Sequence, residues 1–241
     1  MSEKSSQLAW TEYQTDHIRS ETERYFDRYW SIQPVGEVDL HSIKRLIVIG
    51  GSGGGKSTLI SRLKGSGIET SGVFIPQRVV TSPDRGDDVG GENVHVSDDE
   101  FARLQEYGSI EFPWSKQLPL ETNGAIKPVR YGFMRGGWDG YVPALTLYAA
   151  NNGLYANPDS WRQIEGANTL IACVTAPQEV RAVRLYERLP TMGPAEARIR
   201  TTDNLQLGMK PHVNVSTYGL HQGIAAAEFA EFVTDLTTAF Q

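Results

Sequence analysis

The spacing of apolar and polar positions divides the chain into blocks of helical and of strand period. Residues 7–31 place Trp10, Tyr13, Tyr25, Phe26, Tyr29 and Trp30 at intervals of three and four among Glu, Asp and Arg, the pattern of an amphipathic helix. Residues 34–42 read as a connector, and the apolar run that closes 43–49 reads as a buried strand, the first of a core. A helical pattern follows Thr58 and stops at Gly65-Ser66-Gly67. A short strand-type run at 72–75 leads to a helix over 98–104, with Ser97 as N-cap and Glu100 three residues on. Further apolar runs fall at 146–150, 169–174 and 213–216. After Pro177 a helix carries Val180, Arg181, Arg184 and Arg188, and a second helical start covers 195–200. The last helix, about 222–240, sets Phe229, Phe232, Val233 and Leu236 on one face. Strands alternating with helices predict a three-layer α/β fold with a parallel core sheet.

Between the strand at 43–49 and its helix lies Gly50-Gly51-Ser52-Gly53-Gly54-Gly55-Lys56-Ser57-Thr58, which fits G-x-x-x-x-G-K-[ST] at every fixed position. Strand before and helix after are the context such a phosphate-binding loop requires. Glycines let the backbone wrap an anion with its N–H groups, and the helix N-terminus adds partial positive charge. Lys56 is expected to reach the β- and γ-phosphates of ATP, and the Ser57 hydroxyl to ligate Mg²⁺.

Composition narrows the setting. A chain of 241 residues that is 39% hydrophobic can bury one core, with room for a small subdomain. A net charge of −6 argues against a nucleic-acid-coating surface. Cys173 is the single cysteine, which excludes a disulfide framework and a cysteine-based zinc site. No apolar run reaches membrane-spanning length, and the first thirty residues are too charged for a secretory signal, so a cytoplasmic protein without membrane or nucleic-acid partners is expected. The aromatic stripe of 7–31 is either core or a docking surface, for the substrate pocket or for a second copy in a homodimer.

In order, the phosphate loop, Arg78-Val79-Val80-Thr81, Arg85, Val96-Ser97-x-x-Glu100-Phe101, Ile110-Glu111 and Tyr131-Gly132 resemble the guanylate kinase superfamily over roughly residues 43–240. The resemblance implies a P-loop kinase domain over 43–241 behind an N-terminal helical extension, 1–42. It implies an inserted acceptor-binding subdomain at about 76–135 and a lid at about 184–200. Arginines of that lid, here Arg184, Arg188 and Arg198, with Arg200 as substitute for Arg198, would close over the transferring phosphoryl group.

The departures are informative. Ser82 stands where the family has an arginine after two threonines, and Asn93-Val94-His95 where it has a tyrosine ahead of F-V-S. The segment 91–97 is more similar to the E-N-H stretch of ribose 1,5-bisphosphate phosphokinases, a branch that phosphorylates a sugar phosphate. Asn151-Asn152-Gly153 offers no carboxylate where the family has E-I-D-x-x-G, and an insertion separates Glu111 from Tyr131.

Arg78 and Arg85, seven apart, are placed either to hold an anionic acceptor bidentately or as a solvated basic turn. Glu111, between Ile110 and Phe112, is an acceptor ligand or a half-exposed strand residue. His95 is a structural histidine or a substrate contact, and Tyr131 beside Gly132 suggests close approach of a ligand. The expected function is a small-molecule kinase moving the γ-phosphoryl group of ATP to a sugar phosphate or specialised metabolite. The alternatives are a guanylate or other nucleoside monophosphate kinase, and a non-catalytic nucleotide switch or scaffold.

Overall fold

The computed structural model describes residues 28–29, 31–35, 39–40, 43–82, 93–119, 126–136, 142–151, 153–154, 158–164, 166, 168–189, 193, 211–218 and 222–238. The helix expected over 7–31 lies outside them up to residue 27, and Arg28, Tyr29 and Ser31 at its end are not helical but lead into a strand; Arg85, Arg198 and Arg200 also lie outside.

Ten strands and five α-helices are found among the described residues. In chain order they are β1 (Ile32–Pro34), β2 (Arg45–Ile49), α1 (Lys56–Gly65), β3 (Val73–Phe74), β4 (Arg78–Val80), β5 (Asn93–His95), α2 (Asp98–Glu106), β6 (Ile110–Pro119), β7 (Ile126–Met134), β8 (Leu145–Ala149), α3 (Pro158–Ile164), β9 (Thr169–Thr175), α4 (Gln178–Arg188), β10 (Val213–Ser216) and α5 (Gln222–Thr238). A short 3-10 turn, Ile68–Ser71, links α1 to β3.

The core sheet runs β1-β10-β9-β2-β8-β3, parallel throughout except for β1, which pairs antiparallel with β10 at the edge. Alternation of side chains along each strand assigns its two faces. Leu46, Val48, Leu147, Leu170, Ala172, Val213 and Val215 meet Leu59, Ile60 and Leu63 of α1 and Phe229, Phe232 and Leu236 of α5. The intervening Ile47, Ile49, Tyr148, Ile171 and Cys173 face the other way. Burial on both faces explains why these strands read as continuous apolar runs rather than alternating ones.

A second sheet, ordered β5-β4-β7-β6, covers that other face. Its Val80, Trp114, Val129, Tyr131 and Phe133 pack on the core sheet together with Ile164 of α3. The three expected layers are therefore helices, core sheet and an inserted sheet. The outer side of β4 and β6 carries α2, through Val79, Phe101 and Ile110. Ser97 caps α2 as anticipated, its hydroxyl accepting from Glu100 N at 3.1 Å. The insertion after Glu111 is the stem of a long hairpin, paired from Ser115↔Arg130 to Pro119↔Ile126.

The N-terminal boundary differs from expectation. Residues 34–42 do not simply connect, and the core does not begin at 43: Ile32–Pro34 already forms an edge strand, and Tyr29, Ile32 and Leu40 are buried in the main core. Tyr29 donates to Asp235 at 2.8 Å, and Glu228 receives both the backbone N and the hydroxyl of Ser31, fastening this segment to α5. Three residues ending in proline are too short to show a period, and proline is tolerated in a sheet only at such an edge.

Candidate active site

The loop from Gly50 to Lys56 leaves the carboxyl end of β2 and closes against β9 and α4. Gly53 has φ +73°, and a Cβ on it would lie 2.4 Å from the Arg181 carbonyl oxygen; one on Gly50 would lie 2.3 Å from that of Val174. Glycine is thus required by the protein's own packing as well as by the approach of an anion. Gly55, in left-handed conformation at φ 99°, caps α1 with no side-chain hydrogen bond, at a helix N-terminus of the kind that favours an anion. Lys56 Nζ donates to the carbonyls of Gly50 and Gly51, so the ammonium lies within the loop, and Ser57 follows half-buried in the first turn. A glycine-capped helix N-terminus, an inward lysine and a first-turn hydroxyl fit a nucleoside triphosphate. No group of three or more His, Cys, Asp or Glu that could hold a metal occurs among the described residues. Ser57 would hold Mg²⁺ only in company with phosphate oxygens and water, the ordinary coordination for that ion.

Thr217, buried just beyond β10, stands behind the loop. Its hydroxyl donates to the Gly54 carbonyl at 2.7 Å. Arg184 of α4 donates through Nη1 to Thr217 Oγ1 at 2.9 Å and through Nη2 to the Thr217 carbonyl at 2.8 Å, with Nη1 3.4 Å from the Gly53 carbonyl. Burial pushes the Arg184 pKa down, partly offset by Glu187. Arg188 lies exposed one turn further on.

From the second sheet, β4 carries Arg78 to the same edge of the core sheet. Its Nε donates to Asn93 Oδ1 at 2.7 Å and its Nη1 to the Ala149 carbonyl at 3.2 Å. Ala149 is the register partner of Val48, two residues before the loop. Ligands of open α/β sheets bind at this carboxyl edge. His95 is half-buried on β5, with Nδ1 donating to the Ser82 carbonyl at 2.7 Å.

Glu111 owes its position to a β-bulge. Glu111 pairs with Phe133 and Trp114 with Tyr131, so β6 spends one residue more than β7 across the interval, and Phe112 takes φ 48°. In a regular strand Glu111 and Phe112 would face opposite ways. Here the Glu111 carboxylate accepts from the Tyr148 hydroxyl at 2.9 Å while the Phe112 ring meets the Tyr148 ring edge-on at 5.3 Å. Arg135 lies 3.5 Å from the second carboxylate oxygen. Burial, then the Glu111 charge and hydrogen bond, push the Tyr148 pKa well above the ordinary tyrosine range.

Tyr131 and Gly132 pack within the second sheet. Tyr131 is 8% exposed and stacked on Trp114 at 5.3 Å, and the close approach at Gly132 comes from Ile110, whose Cγ2 would be 2.2 Å from an added Cβ. Asn151 anchors structure: its Oδ1 accepts from Trp114 Nε1 at 3.1 Å and from Gly153 N at 2.9 Å. Residue patterns did not single out Tyr148 or Thr217. Asn93 fell inside the E-N-H segment, but its bond to Arg78 follows only from the parallel pairing of β4 and β5.

The parallel core sheet, the phosphate-binding loop after β2 and the inserted second sheet define a layered α/β fold with a P-loop. No family model matches the chain. It is 31% identical over 148 residues to the ribose 1,5-bisphosphate phosphokinase PhnN of Bradyrhizobium diazoefficiens, a match covering 59% of this chain and 64%, less than two thirds, of that protein. It is 26% identical over 174 residues to the protein of the same name from Rhodopseudomonas palustris, covering 72% of this chain and 80% of that one. Among solved structures, guanylate kinase from Anaplasma phagocytophilum aligns with a TM-score of 0.44 and 16% identity, over 83% of this chain and 88% of that one.

Proposed function

We propose that the chain is a kinase that transfers the γ-phosphoryl group of ATP to a small anionic acceptor, a sugar phosphate. The observation that carries this is the convergence at one sheet edge of Lys56 inside its glycine loop and Arg78, whose guanidinium is fixed by Asn93 and Ala149. The similarity to two proteins named as ribose 1,5-bisphosphate phosphokinases supports the acceptor class.

When bound, ATP with Mg²⁺ supplies the phosphoryl group. Lys56 and the loop N–H groups of this chain hold the triphosphate, and Ser57 contributes a metal ligand. Arg78 holds the anionic group of the acceptor, with Arg85 as its partner. Arg188 and Arg198 of the lid, 184–200, close over the transferring group and exclude water.

An acceptor that offers a phosphate oxygen is already ionised and needs no base. Glu111 is unsuited to be one: its partner Tyr148 pairs with Ile47, three residues before Gly50, about 10 Å of strand behind the loop. It serves instead to anchor the far end of the acceptor.

The test is phosphoryl transfer from ATP·Mg²⁺ across ribose 1,5-bisphosphate, related sugar phosphates, GMP and plain alcohols, with Lys56→Ala as blank. Transfer to a sugar phosphate that disappears in the blank is expected. Transfer only to GMP, or to none while ATP still binds, overturns the reading.

A further inference from the structure

Arg184 entered as a lid arginine, a group that meets the transferring phosphoryl. We propose instead that Arg184 and Thr217 form a strut that sets the peptide orientation of the phosphate loop, Arg184 acting as a positioning residue through Thr217. The inference rests on the reading of residues 50–58 as a triphosphate-binding loop.

The geometry of a trans peptide carries the argument, since the carbonyl of one residue and the N–H of the next point to opposite sides of the chain. The Thr217 hydroxyl holds the Gly54 carbonyl at 2.7 Å on the outer side of the loop. The Gly55 N–H is thereby turned inward, at the start of α1. Likewise the Gly53 carbonyl, 3.4 Å from Arg184 Nη1, turns the Gly54 N–H inward, where it donates to the Gly51 carbonyl at 3.1 Å and closes the loop's own turn. The Gly55 N–H is thus a donor that a phosphate finds already aimed at it, while the Gly54 N–H holds the turn that shapes the loop.

Thr217 can do this because it is itself held. Its backbone N donates to the Thr175 carbonyl at 3.0 Å, continuing the β9–β10 pairing, and Arg184 grips both its hydroxyl and its carbonyl. A hydroxyl has a single proton. It goes to the Gly54 carbonyl at 2.7 Å, the Thr175 carbonyl lying farther off at 3.3 Å, while Arg184 Nη1 donates to the hydroxyl oxygen. Arg184 thus spends its fork on three oxygens of the fold, and its long stem ties α4 to the loop. The methyl of Thr217 completes the contact, since a Cβ on Gly55 would lie 3.1 Å from it.

The two roles separate by which nucleotide they affect. A ligand of the transferring group favours ATP over ADP, whereas a strut that orients loop N–H groups serves both. Binding of fluorescent ATP and ADP analogues with Mg²⁺ is measured for the wild type, Arg184→Gln, Arg184→Lys, Thr217→Val, Thr217→Ser and the double variant Arg184→Gln/Thr217→Val. Loss of a buried hydrogen-bond partner corresponds to about tenfold or more in affinity. The expected result is a loss of that size for ATP and ADP alike in Arg184→Gln and Thr217→Val, and no further loss in the double variant because the residues act as a unit. Thr217→Ser, which keeps the hydroxyl, restores binding.

A loss confined to ATP, unchanged affinities, or independent additive losses overturn the strut. Should Thr217→Val fail to fold, the ATP-to-ADP comparison in Arg184→Gln and the rescue in Thr217→Ser decide alone. A wild type that binds neither nucleotide overturns the phosphate-loop reading itself, and the strut with it.

Discussion

The hydroxyl of Tyr148 donates to the Glu111 carboxylate at 2.9 Å, joining the core sheet to the inserted one. A hydrogen bond to a charged acceptor contributes about 1.5–3 kcal/mol, and the 26% exposure of Glu111 places this one at the lower end. Tyr148→Phe is therefore expected to cost about 1.5 kcal/mol, read from the urea midpoint at constant slope. Its pH dependence has a definite sign. The folded pKa of Tyr148 is raised, so its contribution is fully present below the unfolded tyrosine value of about 10 and is lost as pH rises beyond it. Wild type should lose stability above pH 10 more steeply than Tyr148→Phe; parallel alkaline profiles would show that Tyr148 ionises as freely folded as unfolded.

Gly132 is a packing glycine. Ile110 Cγ2 occupies the space a side chain would need, 2.2 Å from an ideal Cβ. Gly132→Ala should destabilise by about 1–3 kcal/mol through overpacking. Ile110→Ala removes the offending methyl and leaves a cavity of its own, so the double variant should be less destabilised than the two single losses added together. Strict additivity in the thermal melts of the four proteins would show that the two positions do not touch.

The strand, loop and helix at 43–65 were legible because everything that specifies them is local: an apolar run, glycines at fixed offsets and a following helical pattern. The inserted subdomain was legible only as short collinear segments. Its contents were harder to read, since an alternating aromatic such as Tyr131 looks the same whether it stacks on Trp114 or on a ligand. The edge strand Ile32–Pro34 has too few residues to declare a period. Tyr148 and Thr217 escaped for a different reason. Their partners stand 37 and 163 positions away, and no local pattern encodes such a pair before the topology is known.

Asn151 occupies a segment where the resembling family carries a carboxylate, and its Oδ1 accepts from Trp114 Nε1 and Gly153 N. Both bonds use the same oxygen. Asn151→Asp preserves it and should cost less than about 1 kcal/mol, whereas Asn151→Ala strands two donors and should cost about 1–3 kcal/mol. Calorimetric melting distinguishes these. An aspartate variant as unstable as the alanine one would mean that the amide nitrogen of Asn151, rather than its oxygen, holds the site.

His212 carries the acid limit of the core sheet. Its backbone joins the ladder, with N donating to the Ile171 carbonyl at 2.9 Å, and its ring joins too, with Nδ1 accepting from Ile171 N at 3.0 Å. Accepting there requires a neutral Nδ1, and burial pushes the His212 pKa below the ordinary histidine value. A base whose folded pKa is lowered contributes stability that is present above the unfolded value, about 6.5, and lost as pH falls through the folded one. Between those limits the unfolded chain binds the extra proton, which tilts the unfolding free energy by up to about 1.4 kcal/mol per pH unit. His212→Asn offers an oxygen to Ile171 N and cannot be protonated in this range. Urea unfolding at pH 7.5, 6.5 and 5.5 should show the wild type losing stability relative to His212→Asn over the step from 6.5 to 5.5. A gap that stays constant or widens in favour of the wild type would mean that Nδ1 is not the acceptor for Ile171.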